Sequence, residues 1–161
     1  MTPAQQARVG ELIRQRRWAA LATVSAEGLP DASMVAYAPD ADNGCLLFHL
    51  SQLAVHTRNL LATRRASLVI GEEDSGDGDP QVLPRIVVTG RCEPVVRDDP
   101  DFQRLRAVYL GRLPDAEPRF DFSDFLLLRL LPESGNFVGG FGQARRLGAA
   151  TVQGCLRASA P

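Results

Sequence analysis

Hydrophobic positions along the chain change period several times, and each change marks an element. Val9, Leu12 and Ile13 recur at helical spacing with Arg14, Arg16 and Arg17 elsewhere, which predicts a first helix. Thr2, Pro3 and Gln5 supply its N-cap, first-turn proline and capping-box partner. In AALATVSAEGLPDASMVAYAPD, two runs of small and β-branched residues flank Glu27-Gly28-Leu29-Pro30, the pattern of a hairpin. Cys45 to His49 reads as a third strand after the Asp42-Asn43-Gly44 turn. Ser51 then caps a short helix whose apolar face is Leu53, Leu60 and Leu61. Arg65 to Ile70 is a fourth strand. EEDSGDGDP follows as a surface loop, with an acidic stretch over 72–79 that has nothing to bury. Arg85 to Arg97 is a long strand with Gly90 as its bulge position. Asp98 or Asp99 caps a helix carrying Phe102, Leu105 and Tyr109 at helical spacing. Beyond a proline-containing connector, Phe122 to Leu131 and Gly135 to Phe141 form a last pair of strands. Residues 148–161, GAATVQGCLRASAP, carry little signal and are expected to be a partly disordered tail.

This pattern gives six or seven strands, mostly consecutive, and three helices. Such an order argues for a mainly β (α+β) antiparallel barrel decorated by helices, not a doubly wound βαβ sheet. No internal repeat or domain boundary interrupts it, so a single domain is expected over 1–147, followed by the 148–161 tail.

Composition narrows the chemistry. The 161 residues are 45% hydrophobic and 23% charged, enough for a packed core in one domain. A net charge of −1 argues against a nucleic-acid binder, because phosphate recognition leaves a basic stripe. No apolar run approaches the roughly 20 residues that span a bilayer, and MTPAQQARVGELIRQRR lacks the apolar centre of a secretory signal. All 18 basic residues are Arg. Without Lys there is no Schiff-base or Walker A chemistry. Two His and three Cys without a CxxC spacing support neither a zinc site nor a disulfide framework. A reducing cytoplasm is the expected setting.

No nucleophile elbow or triad is present, and no side chain stands out as a catalytic acid or base. Two segments are unusual. FHLSQLAVHTRNL (48–60) gathers Ser51, His56, Thr57 and Arg58 around a helix start, where free N–H groups and the positive dipole end suit a phosphate monoester. The plainer reading stands beside it: Ser51 only a cap, His56 a half-buried polar residue and Arg58 a surface charge. FVGGFGQARRL (137–147) has three Gly in four residues, which permits close approach of backbone to a flat ligand or makes a bend in a terminal strand.

The order of these motifs resembles the pyridoxamine 5′-phosphate oxidase-related FMN-binding split-barrel family, within it the haem-utilisation (HugZ-like) branch. The resemblance covers about residues 5–147 and rests on ATVSAEGLPDASMVAY, LSQLAVHTRNL with RRASLVI, RIVVTGRCEPV and the GGFGQA run. It implies a six-stranded antiparallel split β-barrel that forms a homodimer, with FMN held at the dimer interface. Ser33, Met34 and Val35 match the strand that contacts the flavin phosphate and ring. The oxidases carry Arg where this chain has Ser33 and Lys where it has Ala38, and their basic phosphate-binding pair falls on Val55 and His56. Ser51, His56, Thr57 and Arg58 remain, as in the haem-utilisation branch, and Arg85 matches a polar position that reaches the flavin. Each lost charge-assisted bond removes roughly 1.5–3 kcal/mol, so weak FMN binding is expected. The resemblance thus implies an FMN-binding flavoprotein of oxidoreductase type, with a small-molecule substrate and the flavin carrying the hydride chemistry. The alternative it implies is a haem- or tetrapyrrole-binding or regulatory protein. In larger members a C-terminal extension supplies the haem ligand; here either His49, His56 or a Cys would serve, or haem does not bind in that way.

Overall fold

The computed structural model describes residues 1–140 and 142–158. Helix α1 (Pro3–Gln15) begins on the expected capping box: Thr2 Oγ1 accepts from the Gln5 N–H, and Gln5 Oε1 accepts from the Thr2 N–H. Strands β1 (Trp18–Val24) and β2 (Pro30–Ala36) form the predicted hairpin. A short strand β3 (Ala38–Asp40) follows, then β4 (Cys45–Ser51), helix α2 (Val55–Thr63), β5 (Arg65–Gly71), β6 (Arg85–Val95), helix α3 (Phe102–Arg112), β7 (Phe125–Val138), β8 (Ala144–Gly148) and helix α4 (Ala149–Arg157). Short 3₁₀ turns occupy Pro80–Val82 and Pro114–Asp121. No described helix is long and apolar enough to cross a membrane.

The strands make one antiparallel sheet in the order β2-β1-β5-β6-β7-β4-β3, with β8 also paired to β7. The sheet curls until β2 approaches β4. Its inner face, with α1, α2 and α4, encloses one core that includes Leu21, Leu46, Phe48, Leu68, Ile86, Val88 and Leu128. A second, smaller core lies on the outer side of β4 and β7, where α3 and the 114–121 segment cover Cys45, Leu47 and Leu127. Because β4 feeds both cores, Cys45 through Leu50 are all buried, and the strand reads as an unbroken apolar run.

Arginines fix the helices. The Arg104 guanidinium on α3 donates to both oxygens of Asp40 at 2.9 Å, and to Asp101 at 2.7 Å. Asp40 is 1% exposed, so this ion pair ties α3 to β3 from inside. Arg112, on the next face of α3, donates to the carbonyls of Ile13, Arg14 and Arg16 and so closes the C-terminal end of α1. The Tyr37 hydroxyl reaches the Ile13 carbonyl at 2.8 Å.

Several expectations are corrected here. Among the described residues there are eight strands where six or seven were expected, because β3 and β8 add to the set. The last predicted pair is one strand, β7, running through Pro132. The register shift predicted at Gly90 is real: Thr89 pairs with Ser134 and Gly90 with Pro132, leaving Glu133 unopposed. A Cβ at Gly90 would lie 2.0 Å from the Leu131 carbonyl oxygen, so the close approach requires Gly. The 148–158 part of the expected tail is ordered. Val152, Cys155 and Leu156 of α4 are buried against α1, where Gly10 leaves room for the Cys155 carbonyl. Residues 159–161 lie outside the described residues. Ser51 does not cap α2: the cap position is Ala54, without a side-chain bond, and Leu53 is exposed ahead of the helix. On α3 the cap position is Asp101; Asp99 instead accepts from the Asp101 N–H at 2.8 Å.

Candidate functional site around the second helix and the outer sheet face

Alternation along β2 splits the predicted binding residues between two faces. Asp31, Ser33 and Val35 turn inward, and Ala32 and Met34 turn outward. Val35 is buried in the core, and Ser33 donates weakly to Asp31 at 3.5 Å. Met34 is 49% exposed on the outer face.

The 51–58 donors are divided as well. The Ser51 hydroxyl donates to Asp124 at 2.6 Å and accepts from the Leu53 N–H at 3.1 Å, which consumes it in the loop geometry. Thr57 is 0% exposed and its Oγ1 is buried without a partner. Two residues on, Asn59 donates to Thr23 on β1 at 3.1 Å and pins the helix to the sheet. His56 is half-buried beside Asp31. Burial pulls its imidazole below the ordinary value against the opposing pull of that carboxylate, so the ring is neutral at neutral pH. Neither ring nitrogen hydrogen-bonds within the described residues. Arg58 is exposed and has no carboxylate partner there. Arg85 donates to the carbonyls of Gln81 and Leu83, so its guanidinium holds the 80–83 turn. The dense phosphate grip expected from Ser51, His56, Thr57 and Arg58 is therefore not assembled; His56 and Arg58 are the members left open.

Around them the surface is apolar. Leu53 and Val55 flank the start of α2, and Leu29 lies two residues before Asp31; all three are exposed. The outer face of β1, β2 and β5 is flat and small-chained, with Ala20, Ala22, Ala32, Met34 and Val69, and Trp18 is 58% exposed at its edge. Two open depressions score this face, one of about 210 Å³ beside Ala22, Ser67 and Thr89, the other of about 510 Å³ beside Trp18, Met34 and Val69.

The glycine run resolves as the β7–β8 turn. Gly140 and Gly142 hold positive φ, and Gly139 N–H donates to the Gln143 carbonyl at 3.2 Å. Phe141, at its centre, lies outside the described residues. The 72–79 loop is exposed throughout, as expected.

The curled antiparallel sheet flanked by helices shares its fold, at a TM-score of 0.69 and 12% identity, with a protein of the pyridoxinephosphate oxidase family from Clostridium acetobutylicum. The chain belongs to the CREG beta-barrel family, which it matches over residues 1–152. It is 36% identical over 118 residues to the non-canonical heme oxygenase HOZ, chloroplastic, of Arabidopsis thaliana, covering 73% of this chain and 34% of that protein. It is 33% identical over 138 residues to the heme oxygenase HutZ of Vibrio cholerae, covering 84% of this chain and 77% of that one. A heme binding protein from Mycobacterium smegmatis shares the fold at a TM-score of 0.83 and 27% identity, covering 95% of this chain and 61% of that structure. The chain thus spans about a third of the plant protein's length and three quarters of the bacterial one's.

Proposed function

We propose that the chain is a haem-binding protein whose iron ligand is His56. The observation that carries this reading is the half-buried, neutral imidazole of His56, free of hydrogen bonds within the described residues and set among exposed apolar side chains. A neutral imidazole is the form that ligates a metal. Asp31 lies near enough for its charge to act on the ring, and a carboxylate near a ligating His supports its basicity. Leu29, Leu53 and Val55 offer apolar surface to a macrocycle, and the unpaired Arg58 suits a propionate. Similarity to proteins named for haem binding and haem oxygenation supports the same ligand. When bound, haem supplies a redox-active iron whose reactivity the axial ligand and the polarity around it tune.

The other histidine does not suit this role. His49 is enclosed by Phe120, Tyr109 and Phe125, beside a cavity of about 200 Å³. That is below the roughly 300–1,000 Å³ of ordinary ligand sites and too small for a tetrapyrrole. FMN is the weaker reading, because the donors for its phosphate are committed elsewhere, at Ser51 to Asp124 and at Arg85 to backbone.

The proposal includes, as a separate part, a homodimer in which the small-chained outer face bearing Ala20, Ala22, Ala32 and Met34 meets its copy. Haem titration followed by the Soret band tests the reading. A saturable 1:1 band is expected in the wild-type chain and in His49→Phe, and a shifted or lost band in His56→Ala. An unchanged spectrum in His56→Ala overturns the ligand assignment, and absence of any saturable band overturns the function.

A further inference from the structure

A second site lies on the opposite side of the sheet from α2, between β4, β6 and the 114–125 segment. Here a cavity of about 200 Å³ is bounded by His49, Val95, Arg97, Phe102, Phe120 and Phe125. Its centre is aromatic. The His49 ring stacks on Phe120 with centroids 3.7 Å apart and planes 5° from parallel, and it meets Tyr109 edge-on at 5.9 Å. Val96, at the rim, is exposed, so the cavity opens to solvent.

Two features of this cavity are not explained by packing. His49 is 7% exposed, yet its Nδ1 is buried without a hydrogen-bond partner. Around it stand three guanidiniums, those of Arg97, Arg106 and Arg119, close enough to disfavour a charge on the imidazole. Arg106 lies 5.1 Å from the Phe120 centroid and pairs with Glu117 at 3.4 Å. Arg97 donates to the Phe120 carbonyl at 2.6 Å, and neither it nor Arg119 has a carboxylate partner among the described residues. The cavity thus joins an aromatic wall to the Arg97 guanidinium, with two further guanidiniums near His49.

We propose that this cavity binds a single-ring aromatic carboxylate. A cavity near 150 Å³ with apolar walls accommodates benzene, so about 200 Å³ holds one ring and a small substituent. The ring packs against the aromatic wall of His49, Phe120 and Phe125, and the carboxylate faces Arg97, the guanidinium that lines the cavity. This site shares no residue with the haem reading and stands or falls apart from it.

Salicylate, and salicylamide as its uncharged counterpart, are the probes, titrated into the haem-free full chain by calorimetry and by chemical shifts of the His49 ring. Salicylate is expected to bind 1:1 and to move the His49 Nδ1 resonance. Loss of one charge-assisted bond should weaken salicylamide, and salicylate with Arg97→Gln, by about tenfold each. Arg97 is exposed and has no ion pair among the described residues, and the thermal midpoint of Arg97→Gln checks that its fold is kept. His49→Ala, which removes part of the aromatic wall, should weaken the interaction by more than tenfold, and His56→Ala should leave it unchanged. The proposal is overturned by no binding at about 10 mM salicylate, well above the ~1 mM range of weak single-ring ligands. Equal affinity for the two probes, or wild-type affinity in Arg97→Gln, overturns it as well.

Discussion

Among single residues, Asp40 has the most to lose. Burial pushes its carboxyl up, but hydrogen bonds from Arg104 and Asn43 outweigh that and hold it below the ordinary aspartate value. Arg104→Gln strands a buried carboxylate, and a loss of about 3 kcal/mol is expected in denaturant unfolding. The contribution of this pair is complete above the ordinary value of about 3.9 and disappears as pH falls through the lowered folded value. His49 acts over a higher window. Burial, with the nearby arginines, drives its pKa down to about 4, so the unfolded chain takes up a proton that the folded one refuses. Stability should fall as pH drops from about 6.5 towards 4, by at most about 3 kcal/mol, and His49→Phe should flatten that slope in unfolding midpoints measured across the range. Much of this scale was invisible in the sequence. Ser33 and Met34 are neighbours in the chain but face opposite sides of β2, since one step along a strand reverses the side chain. A helix start at Val55 instead of just after Ser51 turned Thr57 inward, away from the group it was expected to join.

Elements were read best where one physical signal dominated. Strand β4 is apolar throughout because both its faces are covered, and α1 was marked by its capping box. Helix α4 was missed, although Val152, Cys155 and Leu156 stand at i, i+3 and i+4; three apolar positions among Gly, Ala and Thr make too short a stripe to stand out. Strand β7 was divided in two because Pro132 and Gly135 look like breakers, when the bulge at Glu133 lets the chain pass both. Gly90→Ala places a methyl group against the Leu131 carbonyl with nowhere to move, and should cost about 3 kcal/mol or yield insoluble protein. Gly10→Ala meets the Cys155 carbonyl at 2.8 Å and should cost about 1–3 kcal/mol, read as a lowered thermal midpoint.

For the whole molecule, the antiparallel sheet with helical decoration was legible because the strands follow one another in sequence, and consecutive strands tend to pair. The outer face was not, since runs of Ala and Ser give no amphipathic contrast. That face tests the proposed assembly. Ala22→Arg puts a charge at the centre of the small-chained surface without touching the core. Light scattering at low micromolar concentration should register the wild-type chain at twice the chain mass and the variant at once. A wild-type particle of single-chain mass defeats the dimer. The seam between α1 and α4 has a different kind of consequence. Residues 3–15 leave the ribosome long before residues 149–157, so the groove at Gly10 stays uncovered through nearly the whole of translation, at about 5–20 residues per second. The nascent chain carries an oily helix with no lid for several seconds, and that interval is when a holdase would have most to grip.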